Sequence, residues 1–185
     1  MDVKTLCLAV LSQGEATGYE IKKAFEEGPF AHFQRASFGS IYPALSKLLA
    51  EGLAEAEARE QDGRPDKKVY RLTAAGRAAF HRAIGQEPEP DQLRSDVLFL
   101  LYFARELPKE RVEALIDGYI ASYRAQADRI EGCRAERAAA GAEIDPGKWL
   151  VSGFGVAVYR AAADYLASNR DALLRGLERP LEAAE

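Results

Sequence analysis

The chain of 185 residues holds two cysteines, two histidines, one methionine and one tryptophan, and each scarcity closes off a class of chemistry. Cys7 and Cys133 are too few for a disulfide framework or a zinc site. His32 and His81 stand alone, with no second His, Cys or Asp at ligand spacing, so neither reads as a metal ligand or a catalytic base. There is no glycine-rich phosphate loop and no nucleophile motif, and the 29 Asp and Glu form no recognisable pair. These absences argue against an enzyme and against a bound metal or cofactor. No apolar run reaches the roughly 18–20 residues of a membrane span. A secretion signal is also missing, since Asp2 and Lys4 precede only a brief apolar run. The expected home is the reducing cytoplasm.

What is present is a globular composition, 48% hydrophobic and 29% charged, in a length that suits one ordinary domain or two small ones. The net charge of −4 is unevenly spread: residues 1–86 carry +1 and residues 87–185 carry −5. Within the first part, residues 59–82 hold seven basic and three acidic side chains. A local basic stripe on an acidic chain is the footprint of a confined nucleic-acid contact.

The stretch Ser37–Gly52 organises the first part. Ile41, Leu45, Leu48 and Leu49 fall on one side of a helix, and Ser40, Pro43, Ala44 and Lys47 on the other. Ser40 reads as the N-cap, Pro43 as an early position that needs no N–H, and Gly52 as the left-handed stop. Hydroxyls and a lysine near a helix start suit phosphates and base edges. Upstream, Val3, Leu6, Cys7, Val10 and Leu11 predict a helix over residues 2–12. Gln13–Gly18 reads as a turn, and Thr17 with Glu20 as a capping box for a helix over Gly18–Glu27. Gly28–Ala36 connects to the third helix, with Phe30 and Phe33 as anchors.

Downstream the period changes. Leu53–Arg59 and Lys67–Thr73 read as strands around a turn at Gln61–Asp66. Tyr70 and Leu72 are expected to face in, and Lys68 and Arg71 out. Arg64, Lys67 and Lys68 make the hairpin tip basic. Thr73 caps a helix over Ala74–Ile84, and Glu87-Pro88-Glu89-Pro90 is a linker. Helix, helix, helix, strand, strand, helix is the order of a winged helix-turn-helix, so the fold class is mainly α with a two-stranded β wing. In that architecture helix 3 enters a major groove of duplex DNA and the hairpin tip reaches across phosphates. The competing reading is a winged-helix adaptor that binds protein instead of DNA.

Thr17-Gly18-Tyr19-Glu20-Ile21, Gly39-Ser40-Ile41-Tyr42-Pro43-Ala44-Leu45, and Gly63-Arg64-Pro65 followed by Lys67, Tyr70, Leu72, Thr73 and Gly76 resemble the motifs of the PadR family of transcriptional regulators. The resemblance covers residues 1–84. It implies a homodimeric regulator, repressor ahead of activator, on a pseudo-palindromic operator. It would put Ser37, Ser40, Tyr42, Pro43 and Lys47 at the groove, Arg64, Lys67 and Lys68 on the wing, and Tyr19 and Lys22 near the backbone. For Tyr70 packing is the expected role, and for Tyr42 packing competes with contact.

Residues 91–185 read as three helices. Asp91–Glu106 is apolar on every side and is expected to be buried nearly all round, within the chain or by a second chain. Pro108 opens a helix to about Ala139, with Val112, Leu115, Ile116, Tyr119, Ile120, Tyr123, Ala127 and Ile130 as its stripe. Gly147 to about Leu177 is the last, after a turn at Gly141–Pro146. Helices this long suit a dimerisation domain over 91–185, following a DNA-binding domain over 1–86. Phe99, Tyr102, Trp149, Phe154 and Tyr159 are candidates to hold a small, flat aromatic effector, although core packing is the commoner role of such rings.

Overall fold

The computed structural model describes residues 1–28, 30, 38–61 and 64–178, with side chains for all of these except 38, 60, 61 and 64–66. The expected turn at Gln61–Asp66 is tighter than its spacing suggests, since one strand runs through Gln61 and the next begins at Arg64. Residues 62 and 63, His32 and the anchor Phe33 lie outside the described residues, whereas the anchor Phe30 packs against the core and stacks on Phe25 at 5.2 Å. The chain divides into two units, Met1–Asp91 and Gln92–Glu185.

In the first unit each helix begins where the sequence supplies an acceptor. α1 (Val3–Leu11) starts at Asp2, whose carboxylate accepts from the Thr5 N–H at 2.8 Å. Thr5, through its side chain first and its backbone N–H second, holds the carboxyl below its usual pKa. After a short strand β1 (Ala16–Thr17), α2 (Gly18–Glu26) carries the expected capping box: Thr17 accepts from the Glu20 N–H, and the Glu20 carboxylate accepts from the Thr17 N–H at 2.7 Å. α3 (Phe38–Ala50) is followed by β2 (Ala54–Gln61), β3 (Arg64–Leu72) and α4 (Ala74–Ile84).

The sheet order is β1-β3-β2, antiparallel throughout, with Ala16 opposite Tyr70 and Ala56 opposite Tyr70 on the other side. The sequence reading placed a turn where β1 lies. Two residues carry no alternation to read, and only pairing with Val69 and Tyr70 makes them a strand.

The core gathers Leu6, Cys7, Leu8 and Leu11 of α1, Ile21 and Phe25 of α2, Ile41, Leu45 and Leu48 of α3, and Ala54, Tyr70 and Leu72 of the sheet. Cys7 is fully buried, and burial pushes its thiol up to about 11, so it stays protonated and inert.

A compact knot joins α3 to the wing and to α4. Gly52, with φ +68°, ends α3: its N–H donates to the Leu49 carbonyl at 3.0 Å and the Leu53 N–H to the Leu48 carbonyl at 2.9 Å. The Thr73 hydroxyl donates to the Gly52 carbonyl at 2.8 Å and accepts from the Gly76 N–H at 3.0 Å. The Thr73 N–H also donates to the Leu53 carbonyl. A Cβ on Gly76 would lie 1.9 Å from that carbonyl oxygen, so only glycine fits.

The second unit is helical. α5 (Asp96–Tyr102) is shorter than the expected Asp91–Glu106. Ser95 sets its start by accepting from the Leu98 N–H at 3.2 Å, and Ala104–Glu106 is a separate 3-10 turn. None of its side chains is buried within this chain, against the expectation of burial all round, and the second-chain alternative stays open. α6 (Lys109–Ala139) and α7 (Pro146–Leu177) form an antiparallel hairpin. Ala127 and Ala163 are both fully buried, and Val112 packs with Ala104 and Leu174. Ion pairs run along the hairpin: Lys109 with Glu178, Arg170 with Asp117 and Glu113, and Arg160 with Glu131 and Asp128. Exposed as they are, each contributes little to stability, and together they mark the register of the two helices.

Gly76→Ala is expected to destabilise the first unit by at least about 3 kcal/mol, because backbone must move to admit the methyl group. Urea unfolding measures it, and an unchanged midpoint would refute the close approach.

Candidate nucleic-acid interface

α3 has two unlike sides. Ile41, Leu45 and Leu48 are wholly buried, while Gly39, Tyr42, Pro43, Ser46, Lys47 and Ala50 are exposed. Ser40 and Ala44 lie half-buried at the margin, and Ala44 packs against the core. The helix starts at Phe38, so Ser40 is its third residue and not the N-cap. Pro43 is the sixth, deeper than the sequence reading had it. Its missing N–H removes the helical donor for the Gly39 carbonyl. Ser37 lies outside the described residues. Ser46 was missed, although it stands four after Tyr42 and three after Pro43, which is the spacing of one helix face.

Tyr42 is both a packing and a surface residue. It is 39% exposed. A Cβ on Gly18 would meet its ring at 2.8–3.0 Å, so the ring lies against the first residue of α2. This contact joins the two helices of the helix-turn-helix. Tyr19, next in the chain, is 63% exposed. Lys22, one turn on, is half-buried and pairs with Glu26 at 3.3 Å. Lys47 has no ion-pair partner among the described residues.

The wing has two faces, because successive side chains of a strand alternate. Ala54, Ala56, Tyr70 and Leu72 turn to the core, where α3 also packs. Glu55, Glu57, Arg59, Lys67, Val69 and Arg71 share the other face by register. There Arg59 holds Glu15 with two bonds, 2.6 and 2.8 Å, and Glu57 lies 3.6 Å away. Arg71 holds Glu55 at 2.9 Å. These groups line a concavity of about 440 Å³. The Arg59 bond holds the Glu15 carboxyl below its usual range. Tyr70 is buried in packing, as expected. Lys68 differs from the expectation that it faces out with Arg71: residues 68 and 71 have opposite parity, so Lys68 shares the face of Tyr70 and Leu72. It is exposed because the core ends at Tyr70. The Arg64 side chain lies outside the described ones.

The aromatic candidates of the second unit do not converge. Tyr102 is 84% exposed and meets Phe103 edge-on at 5.1 Å. Phe154 is 68% exposed. Trp149 is half-buried beneath Arg134, whose guanidinium sits 3.5 Å from the ring centroid and donates to the Trp149 carbonyl at 2.6 Å. Tyr159 lies against Tyr123, their rings tilted 41° at 5.5 Å, and the Tyr123 hydroxyl donates to that of Tyr119. No ring contact joins Tyr102, Trp149 and Phe154 among the described residues.

Among the described residues no group of His, Cys, Asp and Glu could hold a metal, and no helix is long and apolar enough to cross a membrane. The profile of the transcriptional regulator PadR-like family matches residues 7–82. The negative transcriptional regulator PadR of Bacillus subtilis is 29% identical over 131 residues, which is 70% of this chain and 71% of that protein. Two solved structures are similar over nearly the whole length. One is smu.1604c from Streptococcus mutans, with TM-score 0.81 and 27% identity, covering 92% of this chain and 99% of that one. The other is the PadR-like regulator BC1756 from Bacillus cereus, with TM-score 0.76 and 29% identity, covering 96% and 98%.

Gly18→Ala should cost about 2 kcal/mol by forcing the Tyr42 ring aside. In a Tyr42→Ala background the same change should cost at least about 1 kcal/mol less, since contacting residues couple. A double-mutant cycle in urea checks the contact, and additivity would disprove it.

Proposed function

We propose that the chain is a PadR-like transcriptional regulator that binds an operator in duplex DNA as a homodimer, most simply as a repressor. The observation that carries this reading is the exposed row of α3, with Tyr42, Pro43, Ser46 and Lys47, beside a wing that ends in basic residues. A rigid helix that buries one stripe and offers small polar groups on the other fits a major groove. The wing cations, with Arg64 among them, suit flanking phosphates, and Ser37, Ser40, Tyr19 and Lys22 border the same surface by sequence. Bacillus subtilis PadR has been solved in complex with operator DNA, and separately with p-coumaric acid.

The homodimer reading rests on the second unit. Val151, Phe154, Val158, Ala161 and Tyr165 of α7 follow three- and four-residue steps, and all are exposed in the single chain. That is the spacing of a seam between helices. Phe99 and Tyr102 of α5 add exposed rings. A second copy of the same helices would cover such a stripe and double the DNA contacts, raising effective concentration. A small aromatic effector among Tyr102, Trp149 and Phe154 belongs to the same reading, and those rings could meet only when a second chain supplies some of them. On this account residues 1–86 bind DNA and 91–185 dimerise.

Selection of bound fragments from genomic DNA tests the core of the proposal. Binding should weaken steeply with salt as phosphate neutralisation releases counterions. Lys47→Ala should weaken operator binding about tenfold, or about 1.4 kcal/mol, with unfolding unchanged. A protein partner captured equally well after nuclease treatment, with no salt-steep DNA binding, would favour the adaptor. Phe154→Glu should convert the dimer to a monomer in sedimentation, and a dimer that survives it would remove the α7 seam.

A further inference from the structure

Two lysines adjacent in sequence stand on opposite faces of the wing. Lys67 lies on the outer face, paired across the ladder with Arg59. Charge on that face is already matched: Arg59 is held by Glu15 and Glu57, and Arg71 by Glu55. Lys67 adds to a field shared with Glu15 and Glu20, and it helps hold both carboxyls below their usual range. A phosphate approaching there would have to compete with those carboxylates.

Lys68 lies on the face that α3 also packs on. Its cross-strand partner is Ala58, too short to cover it. Its ammonium sits 5.6 Å from the centre of the Tyr70 ring, which is itself buried at 6% exposure. A cation over an aromatic face within about 6 Å is attracted to it, so the side chain is held in place before any partner arrives. Among the described residues no carboxylate pairs with Lys68.

We propose that Lys68, and not Lys67, is the wing lysine that meets a backbone phosphate when α3 enters the groove. The proposal rests on the DNA-binding reading above and divides its wing between a charge-compensated outer face and one prepared cation on the α3 side. Tyr70 is the positioning residue: it touches no DNA and orients Lys68.

The test compares Lys68→Ala, Lys67→Ala and Lys68→Arg in the full chain, on one genomic fragment bound by the wild type, with log affinity followed against log salt. Lys68→Ala should flatten the slope by ~0.9 per protomer, the effect of one lost phosphate contact. Lys67→Ala should leave the slope as in the wild type, and Lys68→Arg should restore it. Urea midpoints of the three variants are expected to match, since both lysines are exposed. Slope loss in Lys67→Ala, equal loss in both alanine variants, or loss in neither would overturn the assignment. A wild type that binds no fragment at any salt would instead overturn the DNA-binding reading itself.

Discussion

The arrangement of the first unit depends on how tightly backbone can approach backbone where α3 ends. Gly52 reverses the chain, Leu53 turns its carbonyl to Thr73, and Gly76 leaves room for that carbonyl where any side chain would block it. One threonine hydroxyl, donating to Gly52 and accepting from Gly76, joins the end of α3 to the start of α4. The wing springs from this point and returns to it. Its base is therefore fixed relative to α3. The DNA-binding reading proposed above needs such a fixed base, because misplacement by an ångström there grows along the hairpin.

Packing and charge then divide the labour. α3 gives three wholly buried side chains to the core and leaves its opposite side exposed. The wing does the same in strand form. One face supplies Tyr70 and Leu72 to the interior, and the other is neutralised by its own ion pairs with Glu15, Glu55 and Glu57. Those pairs are exposed and add little to stability. Their larger effect is electrostatic: they pair Arg59 and Arg71, two of the seven basic residues in the stripe that the composition advertised. The second unit follows another logic. Its hairpin is aligned by ion pairs on one side of α7, while another side of the same helix carries apolar residues left exposed among the described residues. Apolar surface that runs on in this way marks a place where another surface can pack.

The legible parts of the site were the ones written in local code. Thr17 with Glu20 and Thr73 with its following helix announced their caps, and the α3 stripe announced its buried side. Ser40 misled because a hydroxyl near a helix start looks like a cap, whereas α3 reaches back to Phe38. Ser46 was overlooked because an isolated serine in mid-helix carries no signal until the buried face is known. The long α5 was over-read because unbroken apolar sequence suggests one buried helix, and Ser95 cuts it short.

By itself the sequence determined the element order, the caps and the faces of the helices, since each follows from side-chain spacing along one segment and from hydrogen bonds within a few residues. It also carried the family likeness. Only the tertiary structure decided which charges are spent. Glu15 and Arg59 lie 44 residues apart in the chain, and no local pattern predicts that they meet. The same holds for the pairing of β1 with β3, for Gly18 under Tyr42 and for Arg134 over Trp149. Contacts between distant segments are selected by the packing of the whole core, so they become visible only once that core is assembled.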